Sequence, residues 1–436
     1  MGGDSDRVAP LPPHGAANLR PSQSSTQSYP PCAMAVVMDK AQPTAKDGAA
    51  YCDLDPFTID AQGHCFTFYP HGPDRLAALV DLIGSARETL KVCYYLFDSD
   101  VSGTKVRDAL MAAAARGVSV ELIVDDFGND AGVEFFRPLT DAGGYFAIFS
   151  PRLGKRYLVR NHQKFVIADG SRVMTGGANV SDHYYAPPVD NGWCDLSVTI
   201  AGAVVQRFTQ WFGLLKDWVE NDAAGRTANL RALRDIVKDW DGSVDGNGSA
   251  VRLLIGGPLV RQGHWAWCLR KDLVSARRLD TVSAYFSPPR SVRRLIARVA
   301  RRGEVRMVMA GKSDFAPAID MARLQYKNLL KAGARVFEFL PCKLHMKLLV
   351  IDDASYIGSA NLDKRSFRLN VELMVRIDDA ALAAKLRELI AHLEAASMPV
   401  TREWYAREST FLNRLRWRIA YWMALADYRV GKLGAG

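Results

Sequence analysis

Two short segments of this chain carry the side chains needed to work on a phosphodiester. The first reads His162-Gln163-Lys164-Phe165-Val166-Ile167-Ala168-Asp169, followed by Gly176-Gly177-Ala178-Asn179. The second reads His345-Met346-Lys347-Leu348-Leu349-Val350-Ile351-Asp352, followed by Gly358-Ser359-Ala360-Asn361. A lysine is a compact cation for a non-bridging phosphate oxygen, and an asparagine amide donates to another. A neutral imidazole attacks phosphorus, and a protonated one supplies a proton to a leaving alkoxide. One segment offers only one imidazole. Two segments supply both a nucleophile and an acid, with catalysis resting on positioning and charge stabilisation. A single His-x-Lys is common on a strand with one wet face. Its repetition, each time with Gly-[Gly/Ser]-Ala-Asn downstream, is what makes it informative.

The elements around the two segments must bring them together. Each His-x-Lys is read as the start of a strand, so His and Lys share a face while Gln163 and Met346 point away. A turn and a second short strand return the asparagine beside them, and the preceding glycine lets backbone approach a ligand closely. Upstream of each segment the same order appears. A strand (Leu90–Phe97; Thr281–Phe286) is followed by a helix (Gly103–Arg116; Ser291–Arg302), a glycine (Gly117; Gly303) and a second apolar strand (Val118–Val124; Val305–Ala310). Alternating strands and helices predict an α/β fold with parallel pairing. The internal repeat predicts two similar sandwich lobes related by a pseudo-two-fold axis, with one site at their interface. The expected organisation is a disordered Pro/Ser/Gln-rich tail over 1–48, a first lobe over 49–245, a second over 246–400 and a basic segment over 401–436. A polar linker is expected near Asp239–Ser249.

Four carboxylates accompany the repeat. Asp169 and Asp352 end their strands, where they are expected to cap backbone N–H groups in the turn. Glu372 and Asp195 lie within apolar strands and therefore need partners. Glu372 is expected to orient His345 through Nδ1, with Asp195 holding the matching place in the first half; a buried structural ion pair is the other reading. No carboxylate cluster of metal-ligand spacing accompanies the histidines, so neither metal nor other cofactor is expected. Seven cysteines, widely spaced and without C-x-x-C, suit free thiols in a reducing compartment. A net charge of +9 favours an anionic partner, nucleic acid or membrane. The sequence contains no apolar run long enough to span a bilayer and no signal-peptide pattern, so peripheral membrane contact is expected.

With these residues in view, the chain resembles the phospholipase D superfamily, whose signature His-x-Lys-x4-Asp-x6-Gly-Ser-x-Asn occurs twice. The resemblance covers about residues 60–400. Within that superfamily, Asn361–Glu372, Ala284–Pro288 and Gly311–Asp314 look like bacterial cardiolipin synthases. This implies a duplicated fold with one shared site and transfer of a phosphatidyl group between phosphatidylglycerol molecules through a phosphohistidine. It implies His162 as nucleophile and His345 as general acid, then base, with Lys164, Lys347, Asn179 and Asn361 around the phosphate. Lipid substrates and an anionic membrane are the implied partners, with the enzyme peripheral on the cytoplasmic face of the bacterial cell membrane; nucleic acid is not expected. The alternative is a phospholipase D-type hydrolase or metal-independent nuclease. A non-catalytic membrane scaffold is opposed by the intact His, Lys and Asn in both halves. Three departures stand out. Gly177 replaces the usual serine, which Ser359 retains. Five residues, not six, separate Asp352 from Gly358, predicting a tighter turn with the strand unaffected. The two transmembrane helices that open many such synthases are missing, as in the peripheral members of the group.

Two basic stretches remain. Phe411–Val430 interleaves large apolar residues with Arg414, Arg416, Arg418 and Arg429, which suits either an in-plane helix on anionic lipid or a helix docked on the body of the protein. Arg290–Arg302 holds six arginines; a solvated face is the simple reading and a phosphate-rich ligand the sharper one.

Overall fold

The computed structural model describes residues 51–128, 131–150, 159–220, 249–257 and 264–435, with side chains placed to residue 424. The expected tail and most of the expected linker fall outside these ranges. Among the described residues, two eight-stranded mixed sheets hold most strands of both halves and share one order, and a short parallel pair, Phe286–Ser287 with Leu362–Asp363, stands apart. In the first, Tyr145–Phe149, Ser119–Gly128 and Thr89–Leu96 pair in parallel, and Phe165–Ala168, Arg172–Gly176, Ser197–Ala201 and His64–Tyr69 then follow antiparallel. In the second, Arg335–Phe339, Glu304–Ala310 and Arg278–Ser283 are the parallel set, followed by Lys347–Ile351, Ala354–Gly358, Glu372–Asp378 and Val251–Gly256. Each sheet adds one edge strand of its own: Phe57–Ala61 in the first and Ser397–Val400 in the second.

Helices cover both faces of each sheet. Helices Gly72–Ser85 and Val101–Ala115 close the outer face of the first sheet, burying Leu79, Ile83, Val106 and Leu110. Helices His264–Ser275, Arg290–Arg302 and Ala316–Ala332 do so for the second. Between the sheets lies one apolar core common to both halves. Phe165, Trp211 and Phe212 from the first half belong to the same cluster as Leu348, Val375 and Leu386 from the second. The central strands read as continuous apolar runs for this reason, since both faces are buried. The fold is therefore α/β, built as two similar helix–sheet–helix lobes joined through a shared core.

The hairpin carrying each motif is the same in both lobes. Phe165 pairs with Thr175, and Leu348 with Ile357, each one residue inside the Lys and the Gly. The shorter second copy closes after the Ile351–Ala354 pair, while the first closes after Ala168–Arg172. The missing residue is thus absorbed in the turn, which is tighter, and the register beside Lys347 is unchanged. Asp169 and Asp352 begin these turns in the left-handed region, at φ 51° and 45°.

Candidate active site

Neither histidine lies within its own sheet. The strands begin at Phe165 and Lys347, because the residues just before them pair across the interface. His162 N–H donates to the carbonyl of Val371 at 2.9 Å, and Val371 N–H to that of Arg160 at 2.8 Å. The mirror arrangement joins His345 N–H to the carbonyl of Cys194 at 2.8 Å, and Cys194 N–H to that of Lys343 at 2.9 Å. These two parallel bridges sew the halves together at the motif histidines. Gln163 turns away as expected: its amide accepts from Trp211 Nε1 at 2.8 Å and donates to the Glu372 carbonyl at 3.3 Å. Met346 turns into the shared core.

The bridges decide which carboxylate serves which imidazole. Glu372 follows bridged Val371, so its side chain reaches the first-half histidine: His162 Nδ1 lies 3.0 Å from Glu372 Oε2. Asp195 follows bridged Cys194, and His345 Nδ1 lies 2.7 Å from Asp195 Oδ2. The expected pairing of Glu372 with His345 is corrected. Each carboxylate orients the histidine of the other half, because Val371 and Cys194 project beyond their own sheets. With Nδ1 committed to a carboxylate, Nε2 is the nitrogen left for chemistry.

The two carboxylates are held differently. Glu372 also accepts from Ser359 Oγ at 2.5 Å, Ser366 Oγ at 2.7 Å and Asn370 Nδ2 at 3.4 Å. Among the described residues no hydroxyl is seen to donate to Asp195, whose carboxylate meets His345 Nδ1 and Leu196 N–H. A Cβ at Gly177 would fall 2.3 Å from Asp195 Oδ1, so the shorter aspartate occupies the space that a serine would need. It also takes the serine's second task. Leu373 N–H donates to Ser359 Oγ at 3.0 Å, whereas the equivalent Leu196 N–H donates to Asp195 Oδ1 at 2.7 Å. Behind Asp195 the buried guanidinium of Arg75 donates to the carbonyls of Asp195, Tyr184 and Trp193 at 2.7, 2.7 and 3.0 Å. Arg75 was invisible as a site residue in the sequence, where it reads as one more cation on a surface helix.

The other expected residues divide. Lys164 and Lys347 are buried. Lys164 Nζ donates to the His162 carbonyl at 2.5 Å, and Lys347 Nζ lies 2.8 and 2.9 Å from the two ring nitrogens of His345. Asn179 is engaged, donating to Tyr184 Oη at 2.7 Å and accepting from Leu96 N–H at 3.3 Å. Asn361 is less tied: among the described residues its buried Oδ1 has no hydrogen-bond partner. Asp169 and Asp352 face away from the histidines. Asp169 accepts from the N–H groups of Arg87, Glu88 and Thr89, and Asp352 from those of Arg277 and Arg278. They cap the approach to the neighbouring parallel strand rather than their own turn. The glycines Gly176 and Gly358 also differ from expectation. A Cβ at either would lie 2.2 Å from a carbonyl of the adjacent strand, Leu196 or Leu373, so they admit a strand and not a ligand.

Burial sets the protonation of the site. It pushes both imidazoles down to about 4, against the pull of Glu372 on His162 and of Asp195 on His345. It lowers Lys164 to about 7 and Lys347 to about 8. Asp195 is desolvated, yet His345 and Lys347 hold it at about 2. Glu372 is likewise lowered by His162 despite its burial. Lys347 disfavours the charged forms of both His162 and Lys164, so the two halves act on one another as one site. An arriving phosphate reverses this balance, because a nearby anion favours the charged lysines and imidazolium.

Aromatic rings frame the two imidazoles, and sequence reasoning did not assign them. Tyr95 lies 4.8 Å from the His162 ring, and Tyr184 and Trp193 lie 5.1 and 5.5 Å from that of His345. The Tyr184-Tyr185 pair just beyond Asn179 was the available signal. His162 and Asn361 open into a cavity of about 520 Å³. Arg160, Lys364 and Arg365 line it together with Asp363, and Phe315, Met321 and Met423 add apolar wall. Cations and apolar side chains in one lining suit an anionic head with hydrocarbon attached.

The family model described as cardiolipin synthase, PLD-like domain, matches residues 79–215 and 269–393, one match in each lobe. The chain is 32% identical over 358 residues to cardiolipin synthase A of Pseudomonas entomophila, covering 80% of this chain and 72% of that protein. It is 30% identical over 357 residues to the major cardiolipin synthase of Bacillus subtilis, covering 78% and 71%. The solved phosphatidylserine synthase of Haemophilus influenzae has the same fold, with a TM-score of 0.65 at 16% identity over 87% of this chain and 97% of that one. The paired motifs, the two-lobed fold and these likenesses agree: the chain belongs to the cardiolipin synthase-type family of PLD-like domains.

Proposed function

We propose that this chain is a phosphatidyltransferase that makes cardiolipin from two phosphatidylglycerol molecules. The observation that carries the reading is the pair of crossed imidazole–carboxylate contacts, His162–Glu372 and His345–Asp195. They leave two Nε2 atoms, one from each lobe, for a single phosphodiester. His162 lines the lipid-sized cavity and acts as nucleophile; His345, enclosed by Tyr184 and Trp193 and paired with Asp195, handles the proton.

In the first step, neutral His162 Nε2 attacks phosphorus of the donor lipid. The P–O bond to glycerol breaks, and the glycerol oxygen takes the proton from His345 imidazolium. In the second step, the free hydroxyl of another phosphatidylglycerol gives its proton to neutral His345 and attacks phosphorus. The P–N bond to His162 breaks, releasing cardiolipin. Lys164, Lys347 and Asn361 bind the non-bridging oxygens. Asn179, tied to Tyr184, positions that ring against His345, and Ser359 positions Glu372. Gly177 makes room for Asp195, while Asp169 and Asp352 hold the hairpins.

Among the described residues no helix is long and apolar enough to cross a membrane. We place the enzyme peripherally on the cytoplasmic face of the cell membrane, where its lipid substrates lie. Incubation with phosphatidylglycerol vesicles is expected to yield cardiolipin and glycerol in equal amounts. Phosphatidic acid and glycerol without cardiolipin would identify a hydrolase instead.

A further inference from the structure

The last helix, Phe411–Ala435, has two faces of opposite character. Trp417 and Ala420 are buried at 0% and 6% exposure against the helix Ala316–Ala332. Arg416 fixes that docking by a two-pronged contact to Asp320, 2.9 Å from each carboxylate oxygen. Lys364 Nζ donates to Tyr421 Oη at 2.8 Å, tying the helix to the segment that follows Asn361. The other face is bare. Leu412, Leu415, Ile419 and Trp422 recur at intervals of three and four, which makes one stripe. They are 74%, 45%, 51% and 59% exposed. The exposed Arg414 and Arg418 lie beside them. Of the two readings open from sequence, a helix docked on the body of the protein and an in-plane helix on anionic lipid, the buried Trp417 and Ala420 meet the first, and the bare face bears on the second.

Two neighbours of the stripe say what covers it. The first is the cavity of about 520 Å³ that His162 lines: Ala420, Tyr421 and Met423 form part of its wall. Phe315, 50% exposed, and Met423, 62% exposed, belong both to that wall and to the surface. Apolar side chains of this helix thus reach from its outer surface into the wall of the cavity that His162 also lines. The second is a groove of about 570 Å³ lined by Arg290, Arg293, Arg294, Arg301 and Lys331, with no carboxylate among the described residues that line it. Lys331 is eleven residues beyond Asp320 on helix Ala316–Ala332, three turns later and within about 20° of the same face. The groove and the Arg416 anchor therefore lie along one side of that helix. A protein surface ordinarily mixes charges of both signs with neutral polar groups. A bilayer of anionic lipid offers phosphates for the groove and hydrocarbon for the stripe together.

We propose that helix 411–424 and the Arg290–Lys331 groove form one docking surface for an anionic bilayer, and that substrate lipid passes from the bilayer along this helix into the cavity. The proposal rests on the lipid-synthase reading for the passage of substrate, but the docking itself is read separately. Flotation of the full chain with phosphatidylglycerol/phosphatidylcholine vesicles, and with phosphatidylcholine vesicles alone, tests it. The variant Leu415→Ser/Ile419→Ser/Trp422→Ser changes only exposed side chains. It is expected to keep the wild-type Tm, to bind the mixed vesicles about 100-fold more weakly, and to lower the ratio of turnover on vesicles to turnover on dispersed short-chain lipid about 10-fold or more. Arg290→Glu/Arg294→Glu is expected to remove most of the preference for anionic over neutral vesicles. Wild-type protein that fails to float, or a triple variant that floats equally well, overturns the proposal. So does a wild-type dimer that the triple variant converts to monomer with vesicle binding unchanged, since the stripe is then a subunit interface. If neither vesicles nor dispersed lipid is turned over, the catalytic reading fails, and flotation still decides the docking.

Discussion

The two halves of the site share a backbone plan and differ in how each carboxylate is secured. Glu372 is held by hydroxyls and an amide: Ser359, Ser366 and Asn370. Asp195 sits in the space left by Gly177, takes one N–H from Leu196 and has the buried Arg75 behind it. Three donors on Glu372 share its charge and weaken its pull on the His162 proton, which suits an imidazole that must stay neutral to attack. Asp195 has fewer competing donors and the shorter contact to its histidine, 2.7 Å against 3.0 Å. That suits an imidazole that must hold a proton and release it. The exposure of the histidines follows the same division, 12% for the His162 side chain and 6% for that of His345. Duplication alone gives two equal half-sites, and a few substitutions around the carboxylates make them unequal.

The sharpest way to break this comparison is to remove each imidazole. His162→Ala and His345→Ala are each expected to lower cardiolipin formation about 1,000-fold or more. With a phosphatidyl ester of p-nitrophenol, whose leaving group needs no proton, the two variants separate. His345→Ala retains a burst of nitrophenolate, and His162→Ala gives none. Equal loss in both would remove the distinction between the halves.

The carboxylates come next. Glu372→Gln is expected to slow formation of the covalent intermediate about 10–100-fold with either leaving group. Asp195→Asn should slow reaction with phosphatidylglycerol by a similar factor but spare the burst with the nitrophenyl ester. Had each carboxylate served its own half, these outcomes would be exchanged.

A smaller effect is expected from exchanging the residues beside the carboxylates. Gly177→Ser restores the residue usual in the family, yet its Cβ meets Asp195 at 2.3 Å. Overpacking of this kind costs about 1–3 kcal/mol, so Tm and turnover both fall. Ser359→Ala removes a hydroxyl from Glu372 and is expected to cost about 1 kcal/mol, with turnover reduced less than in Glu372→Gln. A stabilised Gly177→Ser would contradict the reading of Asp195 as the occupant of the serine's place.

The smallest signal is in the pH dependence of stability. Both imidazoles are lowered from 6.5 to about 4. The unfolded chain therefore binds more protons than the native one between these values. Their contribution to stability is present above pH 6.5 and is lost as the pH falls towards 4. Asp125 and Asp363, both raised to about 6, act in the opposite sense as the pH falls below 6. Comparing wild type with His162→Asn/His345→Asn isolates the imidazoles: the Tm difference between them should change steadily from pH 6.5 to 4 in favour of the double variant.

Much of the site was legible because local spacing carries it. The His-x-Lys pairs, the returning asparagines and the parallel strand–helix order all follow from short-range periodicity, and even the tighter turn at Asp352 could be counted from the chain. The crossing of the carboxylates was not legible. Glu372 lies close in sequence to its own motif, and its partner His162 lies 210 residues away. Only the backbone bridges at Val371 and Cys194 reveal the exchange. Arg75 stayed hidden for a related reason. Three of its four carbonyl partners, Tyr184, Trp193 and Asp195, are more than a hundred residues downstream. The glycines before the asparagines pointed to a close approach, and the structure shows a neighbouring strand there instead of a ligand.

The claim that unites these points is that one phosphodiester is shared by unequal halves, with His162 bearing the intermediate. It is tested most directly by quenching the enzyme during turnover of phosphatidylglycerol and mapping the phosphatidyl adduct by peptide mass spectrometry. The adduct is expected on His162, and on His162 again when His345→Ala is loaded with the nitrophenyl ester. An adduct on His345 would contradict the account.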